Sequence, residues 1–333
     1  VRESYLAQIL DGRKTIEVRV GYDNVRRLRP GDHLRLNDRH LATIRRVGRY
    51  ASFDEFLARE DPAAIAPDGP GDLLPVLRDL YPSDKEALGA VALEIAPHRY
   101  DAVLFDMGYT LVFFEPPQES VVQEALRAIG AERSVDQISA AARVAFGEYY
   151  RGADTVTFSA TPDYDRQVQV VLARALLNAL GVEGDEAARQ VYADALEAGF
   201  GRPGALRPYP EVVEVLDALG EQGYRLGIVS NWSWNLRDRV AQVGLNGYFE
   251  TVWASAYAGC NKPHPGIFYQ SLLQMDLLPG RALYVGDSYE HDVVGARNAG
   301  LDVVLLDRDG TAEDPDCPTI RDLRGVLDLL VAD

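Results

Sequence analysis

The chain has 333 residues, 47% hydrophobic and 26% charged, an ordinary globular composition long enough for two domains. No apolar run reaches the ~18 residues that span a bilayer, and no charged-then-apolar leader opens the sequence, so no membrane association is expected. The net charge of −17 falls wholly in residues 100–333, because residues 1–99 balance at 16 Lys/Arg against 16 Asp/Glu. That acidic part repels nucleic acid at long range, whereas the first 50 residues, with 12 basic against 6 acidic, can attract a phosphate backbone.

Only Cys260 and Cys317 occur, far apart and outside any metal-type spacing, which points to a reducing cytoplasm rather than a disulfide scaffold. Lysine is scarce: Lys14, Lys85 and Lys262 stand against 31 arginines.

Residues 1–97 read as short strands and turns. TIEVRV leads to the turn Arg29-Pro30-Gly31-Asp32, followed by HLRLN and LATIRRVGRY. SFDEFLARE reads as a helix, with Ser52 as N-cap and Glu55 three residues on. Asp61 to Asp72 is rich in Pro, Gly and Asp and reads as a loop, GAVALEIA as a closing strand, and Pro97-His98-Arg99 as a linker. From Tyr100 strands and helices alternate, the pattern of a parallel sheet. AVLFD, RLGIVS, ALYVGD and DVVLLD are its buried strands, and residues 118–200 are helical with breaks near Gly130, Gly152–Pro162 and Gly181–Gly184. Open α/β sheets do their chemistry at strand carboxyl ends, and three of these strands end in Asp106, Ser230 and Asp287.

Four segments in order resemble the haloacid dehalogenase superfamily: Phe105-Asp106-Met107-Gly108-Tyr109-Thr110-Leu111; Val229-Ser230-Asn231; Lys262-Pro263; and Gly286-Asp287-Ser288 with Asp292 beyond. Any one alone is ordinary cap or turn chemistry; the combination carries the resemblance. It implies an α/β fold, a Rossmann-like parallel sheet with a helical cap inserted after the first motif (the C1 arrangement, subfamily I). The expected core is 100–113 plus 209–333, and the expected cap is 114–208. It further implies a phosphatase in which Asp106 attacks phosphorus to give an aspartyl-phosphate. Asp106, the Gly108 carbonyl, Asp287 and Asp292 are then the Mg²⁺ ligands, a hard-oxygen set that suits this ion. Thr110, Ser230, Asn231 and Lys262 are the substrate-binding group, with Lys262 neutralising the transferred phosphoryl. The substrate expected is a small phosphorylated metabolite, a sugar phosphate or a nucleotide.

One position departs from that pattern. Phosphatases of this superfamily usually carry a second Asp two residues after the nucleophile as general acid, and here Gly108 stands there. Dehalogenases lack that Asp, as do phosphonate-cleaving members, which use a cap lysine; residues 114–208 contain no lysine. A dehalogenase, holding its substrate carboxylate with an arginine such as Arg127 or Arg133, stays open beside a phosphatase whose proton comes from elsewhere. A non-catalytic RNA-binding or nucleotide-binding regulator with a decayed hydrolase site is the third reading. His264 and His291 flank the motifs; Tyr149, Tyr150, Arg151, Tyr164 and Arg166, with Trp232 and Trp234, are candidates to line the substrate pocket.

In the N-terminal part, Gly12-Arg13-Lys14-Thr15-Ile16-Glu17-Val18-Arg19 together with Arg29-Pro30-Gly31-Asp32 and Gly89-Ala90-Val91-Ala92 resembles the ASCH domain, a small β-barrel related to the PUA fold. The resemblance implies a candidate site at Lys14, Glu17 and Arg19 and a nucleotide or RNA as its partner. Some relatives are amidohydrolases with Thr where this chain has Glu17. Strand alternation places Glu17 and Arg19 on one face and Lys14 on the other, unless the preceding turn reorients it.

Overall fold

The computed structural model describes residues 1, 3–37 and 40–331. The chain divides into two compact units, Val1–Asp101 and a second that begins at Ala102. No described helix is long and apolar enough to cross a membrane.

The first unit is built on a four-stranded antiparallel sheet of β1 (Ile16–Val20), β2 (His33–Leu36), β3 (His40–Tyr50) and β4 (Ala90–Pro97), in the order β1-β4-β3-β2. Both faces of β4 are covered: Ala90 and Ala92 join a cluster with Phe53, Phe56 and Leu77, while Val91, Leu93 and Ile95 join one with Leu6, Ile9 and Ile44. Burial on both faces explains why GAVALEIA lacks polar alternation. The register of β3 slips between Ile44 and Arg46, and such a bulge sharpens the bend of a barrel-like sheet. The Phe53–Arg59 helix starts as its sequence indicates, with the Ser52 hydroxyl accepting from Glu55 N at 3.2 Å.

Helices Glu3–Leu10 and Leu74–Leu80 were not expected, and the stretch read as a loop carries a further short helix, Pro62–Ile65. All are short, and their apolar residues are too few to declare a 3.6 period before packing against the sheet selects it.

The second unit is a six-stranded sheet. Its strands are β5 (Ala102–Phe105), β8 (Arg225–Ser230), β9 (Thr251–Ala254), β10 (Ala282–Gly286), β11 (Asp302–Leu306) and β12 (Thr319–Ile320), all parallel in the order β12-β11-β10-β5-β8-β9. The chain moves from β5 outward through β8 and β9, then returns to β5's other side with β10. The crevice at the carboxyl end of β5 is therefore flanked by two strands reached from opposite directions, where doubly wound sheets bind ligands.

Between β5 and β8, strands β6 (Val112–Phe114) and β7 (Leu206–Pro208) pair antiparallel where the chain leaves and re-enters the sheet. They bracket four helices, Gln118–Ala128, Val135–Tyr149, Pro162–Ala179 and Glu186–Gly201. The helices break at Gly130, Gly152 and Gly181, each with positive φ, as the sequence indicated. Leu126, Ile138, Leu176, Leu177 and Tyr192 give this insert a core of its own.

Candidate functional site

Backbone direction brings the motif residues together. Asp106 follows β5, Ser230 closes β8 and Asp287 follows β10, so three loops converge on one crevice. The Asp106 amide donates to the Val285 carbonyl at 2.9 Å, which ties the loop after β5 to β10.

Lys262 Nζ lies 2.6 Å from Asp106 Oδ1 and 2.6 Å from Asp292 Oδ1. All three side chains are buried. Burial works against the ammonium, but the charges of Asp106 and Asp292 outweigh it and hold Lys262 above the usual lysine range. Burial raises the Asp106 carboxyl, with the Asp292 charge adding to it and Lys262 and the Ser230 hydroxyl opposing. Asp287 is pushed up to about 8, first by burial and then by Asp106 and Asp292. Oxygens of Asp106, Asp287 and Asp292 lie within 4.8 Å of one another. Three carboxylates against one ammonium leave a surplus of negative charge, which a divalent cation relieves.

Asn231 clamps the lysine segment at both ends of its amide: Oδ1 accepts from Lys262 N at 2.7 Å, and Nδ2 donates to Lys262 O at 3.1 Å. The fully buried Thr110 hydroxyl donates to Asp287 Oδ1 at 3.1 Å, so the structure commits it to a carboxylate rather than leaving it open in the crevice. Asp292 sits in a π-helical turn, Tyr289–Val293, and its second oxygen accepts from Ser288 N at 2.9 Å. Gly108 has ordinary room: a Cβ there would meet only Trp232 Cζ3, at 3.4 Å.

Two participants went unnoticed in the sequence. The buried Tyr284 hydroxyl accepts from Lys262 Nζ at 3.0 Å and lies 2.9 Å from both Asp292 Oδ1 and the Val229 carbonyl. Its only signal was a tyrosine inside the otherwise aliphatic ALYVGD strand. Arg308 donates to the carbonyls of Tyr109 and Thr110 at 3.1 and 2.8 Å, while Glu211 accepts from it at 2.7 Å. The loop after Asp106 is thus braced by a residue 199 positions from Tyr109, which no local motif reveals.

Tyr149, Tyr150, Tyr164 and Trp232 line a cavity of about 100 Å³ beside Asn231 and Asn261. Arg151, Arg166 and Trp234 do not line it: Arg166 pairs with Asp163, and Trp234 packs against Tyr257 with ring centres 5.1 Å apart. Arg127 donates to Gln123 at 2.8 Å, and Arg133 holds the Leu180 carbonyl at the end of a helix, so both are spent inside the insert. His264 accepts from Gly266 N at 2.9 Å, and the His291 ring lies 4.8 Å from that of Tyr150.

A family model described as haloacid dehalogenase-like hydrolase matches residues 100–300. The chain belongs to the haloacid dehalogenase-like hydrolases. Residues 1–99 match the ASCH domain. This hydrolase is 30% identical over 248 residues to a phosphoserine phosphatase of Thermus thermophilus, covering 68% of this chain and 97% of that protein. It is 28% identical over 208 residues to a glyceraldehyde 3-phosphate phosphatase of Methanopyrus kandleri, covering 62% and 84%. Among solved structures, the L-2-haloacid dehalogenase from Xanthobacter autotrophicus is similar at 25% identity and TM-score 0.52, over 70% of this chain and 98% of that one.

In the ASCH unit the three candidate residues also meet. Lys14 lies just before β1, and the turn swings its ammonium round to 3.2 Å from Glu17 Oε2. The face expected from strand alternation is therefore corrected, because Lys14 is not part of the strand. Lys14 also donates to the carbonyls of Ile16 and Ile65, both at 2.6 Å, and Arg19 pairs with Glu17. Burial lowers the Lys14 ammonium against the opposing pull of Glu17. Lys14, Glu17 and Arg19 line a cavity of about 380 Å³ walled by Leu73, Leu77 and Tyr81.

Proposed function

We propose that this hydrolase is a phosphatase for a small phosphorylated metabolite, working through an aspartyl-phosphate on Asp106, with residues 114–208 as the cap and 100–113 plus 209–333 as the core. The observation that carries the reading is the buried Lys262 ammonium held 2.6 Å from both Asp106 and Asp292 at the crevice of a parallel sheet. The Asp106 carboxylate attacks phosphorus, the ester oxygen leaves with the bond's electron pair, and water then cleaves the acyl phosphate to regenerate the carboxylate. Ser230 donates to a phosphoryl oxygen, and Lys262 offsets the charge that nucleophile and phosphoryl group share. Asn231, which grips Lys262 on both sides, keeps that ammonium in line.

The donor set fits Mg²⁺: Asp106, Asp287, Asp292 and the Gly108 carbonyl would hold it, and a hard cation would relieve both the burial and the neighbouring carboxylate charge that push Asp287 up to about 8. When bound, it supplies the positive charge that lets a carboxylate approach a phosphate dianion. Gly108 offers no proton to the leaving oxygen, so esters of weakly basic alcohols should react best.

A dehalogenase needs a cation for the substrate carboxylate, and the engagement of Arg127 and Arg133 elsewhere counts against that reading. The test is release of phosphate from an aryl phosphate with Mg²⁺, abolished by EDTA. Chloride release from 2-chloropropionate without phosphate release would hand the case to the dehalogenase.

For the ASCH unit we infer a nucleotide, free or within RNA, as the ligand of the cavity at Lys14, Glu17 and Arg19. Its support is the coincidence of charged and apolar walls in one recess. Titrating the 333-residue chain with labelled RNA and with nucleoside monophosphates at 150 mM salt, beside Arg19→Ala, checks it; binding unaffected by that change overturns it.

A further inference from the structure

The cavity beside Asn231 has an uneven chemistry. Its walls include the rings of Tyr149, Tyr150, Phe158, Tyr164 and Trp232, and the neutral polar groups of Gln169, Asn231, Ser233, Ser255 and Asn261. Among the described residues that line it there is one carboxylate, Asp165, and no Lys, Arg or His.

Two features join this cavity to the phosphoryl site. Asn231 lines it while its amide holds Lys262, the lysine that pairs with Asp106. Trp232 also lines it and stands 3.4 Å from the position a Cβ would take on Gly108, two residues from Asp106. The recess therefore adjoins the crevice that holds Asp106 and Lys262.

We propose that the recess takes the leaving group of the substrate, and that this group is small, uncharged and hydroxyl-bearing, a polyol or short sugar, with carboxylate-bearing phosphates rejected. The inference rests on the phosphatase reading above. Aromatic rings offer faces to C–H groups, and the amides of Asn261 and Gln169 both donate to and accept from hydroxyls. Asp165 adds an acceptor: its Oδ2 is taken by the Trp234 amide at 3.0 Å, leaving Oδ1 for a ligand hydroxyl. A carboxylate in the same place would lie near Asp165 with no cation to meet it, so its desolvation would go unrepaid. At about 100 Å³ the recess is smaller than the ~150 Å³ cavity that holds a benzene ring, so the part of the leaving group it encloses is small.

Glycerol 3-phosphate and 3-phosphoglycerate differ only in exchanging an alcohol for a carboxylate, and make the test. With Mg²⁺ and the full chain, kcat/KM for the alcohol should exceed that for the acid by at least roughly thirtyfold, since unpaired or like charge costs several multiples of the 1.4 kcal/mol that makes a factor of ten. Gln169→Arg, on the exposed side of its helix, brings a cation to the rim and should narrow that ratio about tenfold. A wild-type ratio below thirty, or a ratio that Gln169→Arg leaves unchanged, overturns the inference while aryl phosphate turnover keeps the phosphatase reading standing. No phosphate release from any of the three esters overturns both.

Discussion

Lys262 Nζ lies 2.6 Å from Asp106 Oδ1 although 156 residues separate them in the chain. An ammonium buried this deeply persists only with its charge repaid, and here two carboxylates and the Tyr284 hydroxyl do so. The arrangement makes each member's removal measurable.

Asp106→Asn keeps the shape of the side chain and removes the carboxylate proposed to attack phosphorus. Turnover of an aryl phosphate should fall by at least ~10³, since covalent catalysis is lost outright. Circular dichroism should show the fold retained. A variant with more than about a tenth of wild-type activity would show that Asp106 is not the nucleophile.

Crowded carboxylates make metal binding visible in stability. If Mg²⁺ binds only the folded chain, millimolar Mg²⁺ should raise the melting temperature; at a hundredfold over Kd the linkage is ~2.7 kcal/mol. Calorimetry with and without EDTA reads it. A decayed site serving as a scaffold should show neither this shift nor metal-dependent turnover.

Gly108→Asp places a carboxylic acid two residues after Asp106. The backbone accepts it, because an added Cβ meets only Trp232 Cζ3 at 3.4 Å. A positioned general acid is worth 10²–10⁴, so about a tenfold gain on an alkyl phosphate and little on an aryl phosphate is the expected split. Equal effects on both esters would argue against proton donation from this position.

Tyr284→Phe removes one hydroxyl that touches Lys262, Asp292 and the Val229 carbonyl. Leaving buried partners short of a hydrogen bond costs ~1–3 kcal/mol, read as a lower denaturation midpoint. As Tyr284 contacts Lys262, kcat/KM should drop about tenfold if the proposed phosphoryl-binding role of that ammonium holds. Unchanged kinetics beside lowered stability would confine Tyr284 to a packing role.

In the ASCH unit, Glu60 is held below the usual carboxyl range by hydrogen bonds from Arg46, against burial, with Tyr50 assisting. A depressed folded pKa means that this contribution is full above the unfolded value of about 4.5 and is lost as pH falls through the folded one. Arg46 is half exposed, so solvent screens the pair and the effect is modest. Comparing Glu60→Gln with wild type in urea from pH 6 to pH 3, the stability gap should close toward the acid end; a gap independent of pH would contradict the assignment.

The helices of the insert were legible because amphipathic periods run for 11 to 18 residues between glycines of positive φ, a signal that needs no tertiary context. The short helices Glu3–Leu10 and Leu74–Leu80 were not, since so few residues cannot establish a period and the sheet beneath them decides the conformation.

The site divides along the same line. The sequence by itself determined the alternation of buried strand and helix and the placing of Asp106, Ser230 and Asp287 at strand ends, because burial on both faces writes itself as an apolar run and the chemistry begins where that run stops. Only the tertiary structure decided that Tyr284 touches Lys262, that Arg308 braces the loop after Asp106, that Thr110 bonds Asp287, and that Lys14 turns to meet Glu17. Those contacts bridge distant strands or depend on the direction a turn gives a side chain, and local spacing encodes neither.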